Sequence, residues 1–270
     1  MKTVAIGIQD FETIRENNLF YVDKTKLIKE WWENQDAVTL ISRPRRFGKT
    51  LTMDMLEKFF SVKYAGYSKL FENLEIWKDR KYRELQGTYP VIFLSFATVK
   101  EKTFDGARRK ICQILSDLYL KNSFLKTADE MQKQDLEFFE RVNMDMDETT
   151  AALSIHKLCD YMERYYGKKT IVLLDEYDTP MQEAYVEGYW EEFTGFVRNL
   201  FNASFKTNPY LERAIMTGIT RVSKESVFSD LNNLKVVTTT SDEYADCFGF
   251  TEQEVLRYWM NMAIRIKSRK

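Results

Sequence analysis

The chain has 270 residues with 40 Lys and Arg against 41 Asp and Glu, and the formal charge of -1 excludes a global basic field for nucleic acid. Three cysteines without a CxxC pair and a single histidine, His156, argue against a disulfide framework and most zinc sites. No apolar run approaches the ~20 residues of a membrane span, and no signal peptide is recognisable. We therefore expect a cytoplasmic protein without a membrane partner.

Short apolar stretches alternate with longer amphipathic stretches along the chain, a pattern that predicts alternating strands and helices. The predicted helices cover 24–34, 49–60, 105–122, 130–142, 151–166 and 190–205. The predicted strands cover 37–41, 89–96, 170–174 and 213–217, with 236–240 as a candidate fifth. Asp23 is predicted to cap the first helix, and the acid-rich link 143–150 is predicted to be a solvated loop.

This alternation indicates an α/β fold. Strands separated by helices pair in parallel, and the helices cover both faces of the sheet, which gives three layers with additional helical insertions. Ligands of such sheets bind beyond the carboxyl ends of the strands. The residues that follow each predicted strand are therefore the candidates for chemistry.

Gly48-Lys49-Thr50 follows the strand 37–41 and a loop, and it opens the predicted helix 49–60. Free amide groups and the helix dipole favour an anion there, and Gly48 allows close backbone approach. Lys49 is predicted to contact the β and γ phosphates of a nucleotide, and the Thr50 hydroxyl to bind Mg²⁺. The alternative is a basic turn that starts an ordinary helix.

The loop before this tripeptide departs from the usual phosphate-loop pattern. Arg43 occupies the position of the customary first glycine, and Pro44 removes an amide donor. Guanidinium groups pair well with phosphate, so the arginines of this loop, Arg43 included, are expected to compensate with charge. Arg45, Arg46 and Phe47 are assigned to nucleotide binding together with the tripeptide that follows.

A second candidate site lies where the apolar strand 170–174 runs into Asp175-Glu176. Two carboxylates at the end of a buried strand are costly unless a cation or solvent meets them. Asp175 is predicted to hold Mg²⁺ opposite Thr50, and Glu176 to orient and polarise the water that attacks the γ phosphate. The alternative is a strand that surfaces into acidic loop residues.

The strand 213–217 ends in a polar segment as well. Thr217 is the candidate for sensing the γ phosphate or placing the attacking water. Arg221 is the candidate for stabilising transition-state charge, within its own subunit or on a neighbouring one. A salt bridge at a helix start is the equally weighted alternative for Arg221, and action on a neighbour implies a homo-oligomer.

Four stretches carry a resemblance to a known family: 20–25, 42–50, 173–178 and 217–224. Through them the chain, over roughly residues 4–250, resembles the bacterial AAA-ATPase-like family, a divergent branch of P-loop ATPases. The resemblance implies an additional-strand (ASCE) core, in which the strand 213–217 separates the acidic strand from the phosphate-loop strand. It also implies that the absent first glycine is normal for the family.

The domain organisation is predicted as a P-loop domain over 1–250, followed by a basic amphipathic helix over 251–270. Members of this family often continue into a domain resembling PD-(D/E)XK nucleases, whose signature this sequence lacks. The helix is therefore interpreted as the start of a truncated region, in a shortened product or a natural short form.

The function expected from these motifs is an ATPase that uses Mg²⁺ and couples hydrolysis to conformational change in a partner or a missing effector domain. ATP is the default nucleotide because the Asn/Thr-Lys-x-Asp signature of guanine readers is absent. Two alternatives stay open: a non-hydrolysing switch or scaffold, and a nucleic-acid-associated subunit of a mobile-element or defence system. Phe20 and Tyr21 either stack on the base or, as we favour, staple the helix that follows.

Overall fold

The computed structural model describes residues 2–4, 6–220, 227–228 and 230–258. Its centre is a sheet of five parallel strands in the order β2-β3-β4-β1-β5. The strands are β1 (Val38–Ser42), β2 (Val91–Ser95), β3 (Thr170–Asp175), β4 (Leu211–Gly218) and β5 (Leu234–Val237). β4 lies between β3 and β1, so the additional-strand order of a P-loop NTPase-like core is confirmed.

The helices of the described part of the chain cover both faces of the sheet, which gives the predicted three layers. On one face lie α1 (Phe11–Glu16), α2 (Lys26–Asn34), α3 (Lys49–Phe60) and α4 (Arg80–Leu85). On the other lie α5 (Phe104–Lys121), α6 (Lys133–Arg141), α7 (Glu148–Tyr166), α8 (Thr179–Glu187) and α9 (Trp190–Phe201).

The strands divide their side chains between these two cores. Leu173 and Ile215 belong to the core under α3, whereas their sequence neighbours Leu174 and Met216 belong to the opposite core. Alternate residues of a strand point to opposite faces, so a strand that is apolar throughout must be covered on both sides. The unbroken apolar run of β3 is explained in this way.

Several predicted boundaries shift in the structure. α2 begins at Lys26 without a side-chain cap, because Asp23 instead accepts hydrogen bonds from the Thr25 amide (2.9 Å) and the Glu75 amide (2.7 Å). The fifth strand is Leu234–Val237, since the chain turns after Val237, where the Thr238 amide donates to Ser241 Oγ (3.0 Å). The predicted helix 190–205 ends its α-helical part at Phe201 and continues as a π-helical turn.

The register of the central strands brings the predicted polar groups to one edge of the sheet. Ile41 of β1 pairs with Thr217 of β4, and Leu174 of β3 pairs with Met216 of β4. Asp175 and Thr217 therefore end neighbouring strands at the same level, directly beside the loop that follows β1. The fold thus brings Asp175 and Thr217, which are 42 residues apart, beside a loop that precedes both by more than 100 residues.

The division of the chain at residue 250 stays a prediction. Residues 252–258 are helical, and the ring of Tyr258 packs against Phe20 at 4.6 Å between centroids. Residues 259–270 of the predicted final helix lie outside the described residues. Among the residues that are described, no helix is long and apolar enough to cross a membrane.

Candidate functional site

A polar cleft of about 440 Å³ opens at the carboxyl edge of the sheet. The loop before α3 and the first turn of that helix form one wall, and residues around the start of α8 form the opposite wall. Four positively charged residues of the described part of the chain line the cleft: Arg45, Arg46, Lys49 and Lys100. This excess of positive groups beside a helix start suits an anion with several charges.

The start of α3 is built to leave its amide groups available. Gly48 is the N-cap residue, has a left-handed φ of 76° and offers no side chain to cap the helix. The first four amide groups of an α-helix have no partner within the helix. A left-handed φ is strained for residues with a Cβ, so glycine suits the tight turn at this position. Because Gly48 has no side chain, the anion site at the start of α3 also stays open.

Lys49 lies at the bottom of this cleft and is buried. Its Nζ donates to the carbonyl oxygens of Arg43 (3.0 Å) and Pro44 (2.9 Å), which tie the ammonium group to the loop. Burial lowers the pKa of Lys49, and the nearby carboxylates of Asp175 and Glu176 offset part of that shift. Among the described residues this ammonium group donates to two carbonyl oxygens, which makes the buried cation a favourable partner for an incoming phosphate.

Asp175, at the end of β3, receives two hydroxyl donors from neighbouring elements. Thr50 Oγ1 of α3 donates to Asp175 Oδ2 at 2.7 Å, and Thr217 Oγ1 of β4 donates to Asp175 Oδ1. Asp175 is 1% exposed and Thr217 is fully buried. A carboxylate and a hydroxyl that already converge are hard oxygen ligands of the type Mg²⁺ prefers. The residues present thus fit a magnesium ion held by Thr50 and Asp175.

Thr217 makes a contact with Asp175 that its predicted role did not include. A hydroxyl carries a single proton, and that of Thr217 is given to Asp175 in this arrangement. The contact makes Thr217 a residue that positions Asp175. Its role as a phosphate sensor stays a prediction.

Glu176 follows Asp175 in a left-handed conformation with a φ of 52°. Its Oε2 accepts a hydrogen bond from Thr179 Oγ1 at 2.9 Å, at the first residue of α8. Non-glycine residues in this conformation are uncommon and strained. The turn directs the Glu176 carboxylate into the polar cleft, which it lines.

The three predicted binding residues before Gly48 divide between two surfaces. Arg45 and Arg46 are exposed and line the polar cleft, and Arg46 has a left-handed φ of 68°. Phe47 lines a separate apolar pocket on the other side of the loop. The loop therefore presents charge on one side and an aromatic ring on the other.

Comparison with known proteins identifies the family of this chain. The AAA-ATPase-like family, described as "Predicted AAA-ATPase", matches residues 5–228. The chain belongs to this family. That description suggests a nucleotide-binding protein of the ATPase type and goes no further.

A curated relative of this AAA-ATPase-like chain comes from Azotobacter chroococcum mcd 1 and is described as an uncharacterized protein in the vnfD 5′ region. The two are 30% identical over 261 residues, which make up 94% of this chain and 44% of the relative. The chain therefore spans less than half of the relative's length. No solved structure gives a significant match.

Arg43, at the position of the customary glycine, has a structural task in this AAA-ATPase-like protein. It is only 4% exposed, and its guanidinium donates to carbonyl oxygens of Thr238 (2.6 Å), Glu243 (3.3 Å) and Tyr244 (3.2 Å). The interpretation that Arg43 supplies charge to the phosphates is therefore wrong. Its guanidinium faces away from the cleft because the carbonyls of the 238–244 segment need a buried donor.

Replacing Arg43 with the glycine found in most phosphate loops is therefore expected to destabilise the protein. Arg43→Gly leaves one buried and two part-buried carbonyls without this donor and should lower the free energy of unfolding by about 3 kcal/mol, measured by urea titration. Arg45→Gly is the matched control, since Arg45 is exposed in the same loop, and should cost about 0.5 kcal/mol. Equal stability of the two variants would contradict the structural task.

Sequence reasoning assigned no role to two residues near the site. Lys100 follows β2 and lines the cleft; a cation after a strand end was a visible signal. Asp178 is fully buried, and its Oδ2 accepts from the amides of Ile219 (2.9 Å) and Thr220 (2.7 Å). Asp178 thereby ties the turn after β4 to the start of α8, a contact that no local pattern predicts.

Arg221 comes directly after this turn and lies outside the described residues. Its assignment to transition-state charge, in its own subunit or a neighbouring one, stays a prediction.

Proposed function

We propose that this protein is a Mg²⁺-dependent ATPase that couples hydrolysis to conformational change in a partner or an effector region. The observation that carries the proposal is the convergence of Thr50 and Asp175 at 2.7 Å beside buried Lys49 and the open start of α3. An anion site and an oxygen ligand pair for a divalent cation lie side by side, as a nucleotide–magnesium complex requires.

The residues of the cleft divide the work of phosphate binding. Amide groups at the start of α3 and the Lys49 ammonium group hold the β and γ phosphates, and Arg45 and Arg46 add charge at the open side. Thr50 and Asp175 hold Mg²⁺, which when bound neutralises charge that develops on the phosphates. Glu176 accepts the proton of the attacking water.

Coupling to the rest of the chain has a physical route in this proposal. The carbonyls of Arg43 and Pro44 that hold Lys49 belong to the phosphate loop, and the Arg43 side chain holds the 238–244 segment. When Lys49 exchanges these carbonyls for phosphate oxygens, the loop loses two hydrogen bonds. The loop and the 238–244 segment are then expected to adjust together.

A second candidate function, a switch that binds ATP without hydrolysing it, is favoured by one contact. The Glu176 carboxylate accepts from Thr179 Oγ1 at 2.9 Å, so one of its oxygens is engaged by the protein rather than by solvent. If this contact persists with ATP bound and holds the carboxylate toward α8 instead of toward the γ phosphate, Glu176 does not reach the attacking water. Binding would then occur without turnover.

Measuring phosphate release from ATP distinguishes the ATPase from the switch that binds ATP without hydrolysing it. The purified chain is expected to release phosphate continuously with Mg²⁺ and to stop when the metal is chelated with EDTA. The chain spans less than half of its relative's length. A slow rate of phosphate release is therefore enough to support the ATPase, provided that it exceeds the rate in buffer. A rate equal to that of buffer, in a sample that binds ATP in equilibrium dialysis, would select the switch.

A further inference from the structure

We propose that Lys100 contacts the γ phosphate of the bound nucleotide and stabilises the charge that develops there during hydrolysis. The inference rests on the proposed function, because it assumes a nucleotide whose phosphates lie at the start of α3. It assigns a role to a residue that belongs neither to the phosphate loop nor to the acidic strand end, and that no motif of the sequence indicated.

The segment that carries Lys100 begins beside the acidic strand end. Ser95 of β2 pairs with Asp175 of β3, and the Phe96 amide donates to the Asp175 carbonyl at 3.0 Å. Lys100 follows a few residues later and lines the polar cleft together with Glu176. Because β2 borders β3 on the side away from β4 and β1, Lys100 and the phosphate loop approach the cleft from opposite sides of β3.

The backbone on both sides of Lys100 is fixed by the fold. Val99 is fully buried, and its amide donates to the Phe96 carbonyl at 3.0 Å. The Glu101 carbonyl accepts a hydrogen bond from Tyr189 Oη at 2.6 Å. The Lys100 side chain between these two anchors is exposed. A ligand that binds this ammonium group therefore orders one side chain and no loop, which lowers the entropy cost of the contact.

Among the described residues, the ammonium group of Lys100 has no hydrogen-bond or ion-pair partner. Glu176 and Glu183 line the same cleft, yet neither lies within ion-pair distance of it. Lys49, by contrast, donates to two carbonyl oxygens of the phosphate loop. A phosphate that enters the cleft can therefore bind Lys100 without displacing a contact within the protein, and the resulting hydrogen bond is strengthened by charge on both partners.

The side from which Lys100 approaches indicates which phosphate it contacts. In the proposed reaction, the water oxygen forms a bond to the γ phosphorus while Glu176 accepts the proton of the water. The bond from the γ phosphorus to its bridging oxygen breaks, and the electron pair stays on ADP. Lys100 comes from the same side of the cleft as Glu176, so the γ phosphate is the phosphate that it meets. A preorganised cation beside developing charge stabilises the transition state and transfers no proton.

Lys100→Ala tests this inference, because the exposed side chain can be truncated without disturbing the core. Phosphate release is measured with ATP and Mg²⁺, and two further probes are titrated by calorimetry with Mg²⁺: ADP, and the non-hydrolysable β,γ-imido analogue of ATP. We expect turnover to fall about 100-fold and the affinity for the imido analogue to fall about tenfold. The affinity for ADP, which has no γ phosphate, should not change. Lys100→Arg should restore most of the turnover, because it keeps the charge.

Lys102→Ala is the matched control, since Lys102 is exposed in the same segment, carries the same charge and lies outside the cleft lining. It should change none of the three measurements. Turnover and imido-analogue affinity of Lys100→Ala equal to those of Lys102→Ala would overturn the role of Lys100 and leave the ATPase intact. An equal loss of affinity for ADP and the imido analogue would overturn the assignment to the γ phosphate.

Failure of the ATPase itself gives a different result. Wild type that binds the imido analogue but releases no phosphate from ATP would overturn hydrolysis, whereas a loss of affinity confined to the imido analogue in Lys100→Ala would still support the contact with the γ phosphate. Wild type that binds neither nucleotide would overturn both proposals.

Discussion

Glu176→Gln is expected to stop phosphate release while ATP still binds. The amide keeps the shape of the side chain but has no basicity at neutral pH, so the attacking water loses its proton acceptor. General base catalysis contributes a factor on the order of 10²–10⁴, and turnover should fall by that amount. The measurement is steady-state phosphate release together with ATP affinity by calorimetry.

Glu183→Gln is the matched control for this change. Glu183 lies within α8, seven residues after Glu176, lines the same cleft and loses the same charge. It should retain most of the turnover, since Glu183 does not directly follow β3 and is not the proposed proton acceptor. Wild-type turnover in Glu176→Gln would remove the proton-accepting role from this residue and direct attention to another group in the cleft.

Lys49→Ala is expected to lower both ATP affinity and turnover. The substitution removes the buried cation, and the carbonyls of Arg43 and Pro44 lose their donor. Loss of one preorganised donor to developing charge costs about 10²–10³ in rate, so turnover should fall at least 100-fold. Phosphate release and calorimetry measure the two effects, and circular dichroism shows whether the variant is folded.

Lys49→Arg serves as the control, because it keeps the charge at every accessible pH. Burial lowers the pKa of Lys49 in the free protein, and Asp175 and Glu176 offset this only in part. The protonated form of Lys49 binds phosphate. The affinity for ATP is therefore highest at a pH below the pKa of Lys49, and it falls as the pH rises through that pKa. The ATP affinity of the wild type should therefore decline at a pH below the usual pKa of a lysine side chain. The ATP affinity of Lys49→Arg should show no such decline. Identical pH profiles would contradict the role of the Lys49 charge.

The sequence was sufficient for the parts of the fold that depend on local pattern. The apolar run before Asp175 indicated a strand covered on both sides, and the short strand before Gly48-Lys49-Thr50 gave the position of the loop. The order of the sheet followed from the family resemblance rather than from local residues. Parallel pairing of β4 with both β1 and β3 depends on contacts between distant segments.

The elements that were missed have weak local signals. α1, α4 and α8 contain six, six and nine residues. Isolated helices of that length are marginal, and tertiary packing stabilises them. Phe11 of α1 and Tyr82 of α4 are fully buried against the rest of the core, which no window of sequence reveals.

Arg43 and Phe250 are residues near the candidate site whose contacts the local sequence does not predict. A basic residue in a phosphate loop favours an interpretation as a phosphate ligand, and only the position of the 238–244 segment shows where its donors go. Phe250 lines the same apolar pocket as Phe47, and a backbone hydrogen bond joins its neighbour Gly249 to Phe47 across 202 residues. Such contacts are decided by the assembled fold.

Nucleotide-dependent thermal stabilisation of the wild-type chain tests the central claim most directly. A ligand that binds the folded state at 100 times its Kd adds about 2.7 kcal/mol, which raises the Tm of a chain of this size by roughly 5 °C or more. We predict this rise with ATP and Mg²⁺ together, a smaller rise with ATP and EDTA, and none in Lys49→Ala. An unchanged Tm of wild type at millimolar ATP and Mg²⁺ would contradict a nucleotide site at Gly48-Lys49-Thr50 and Asp175.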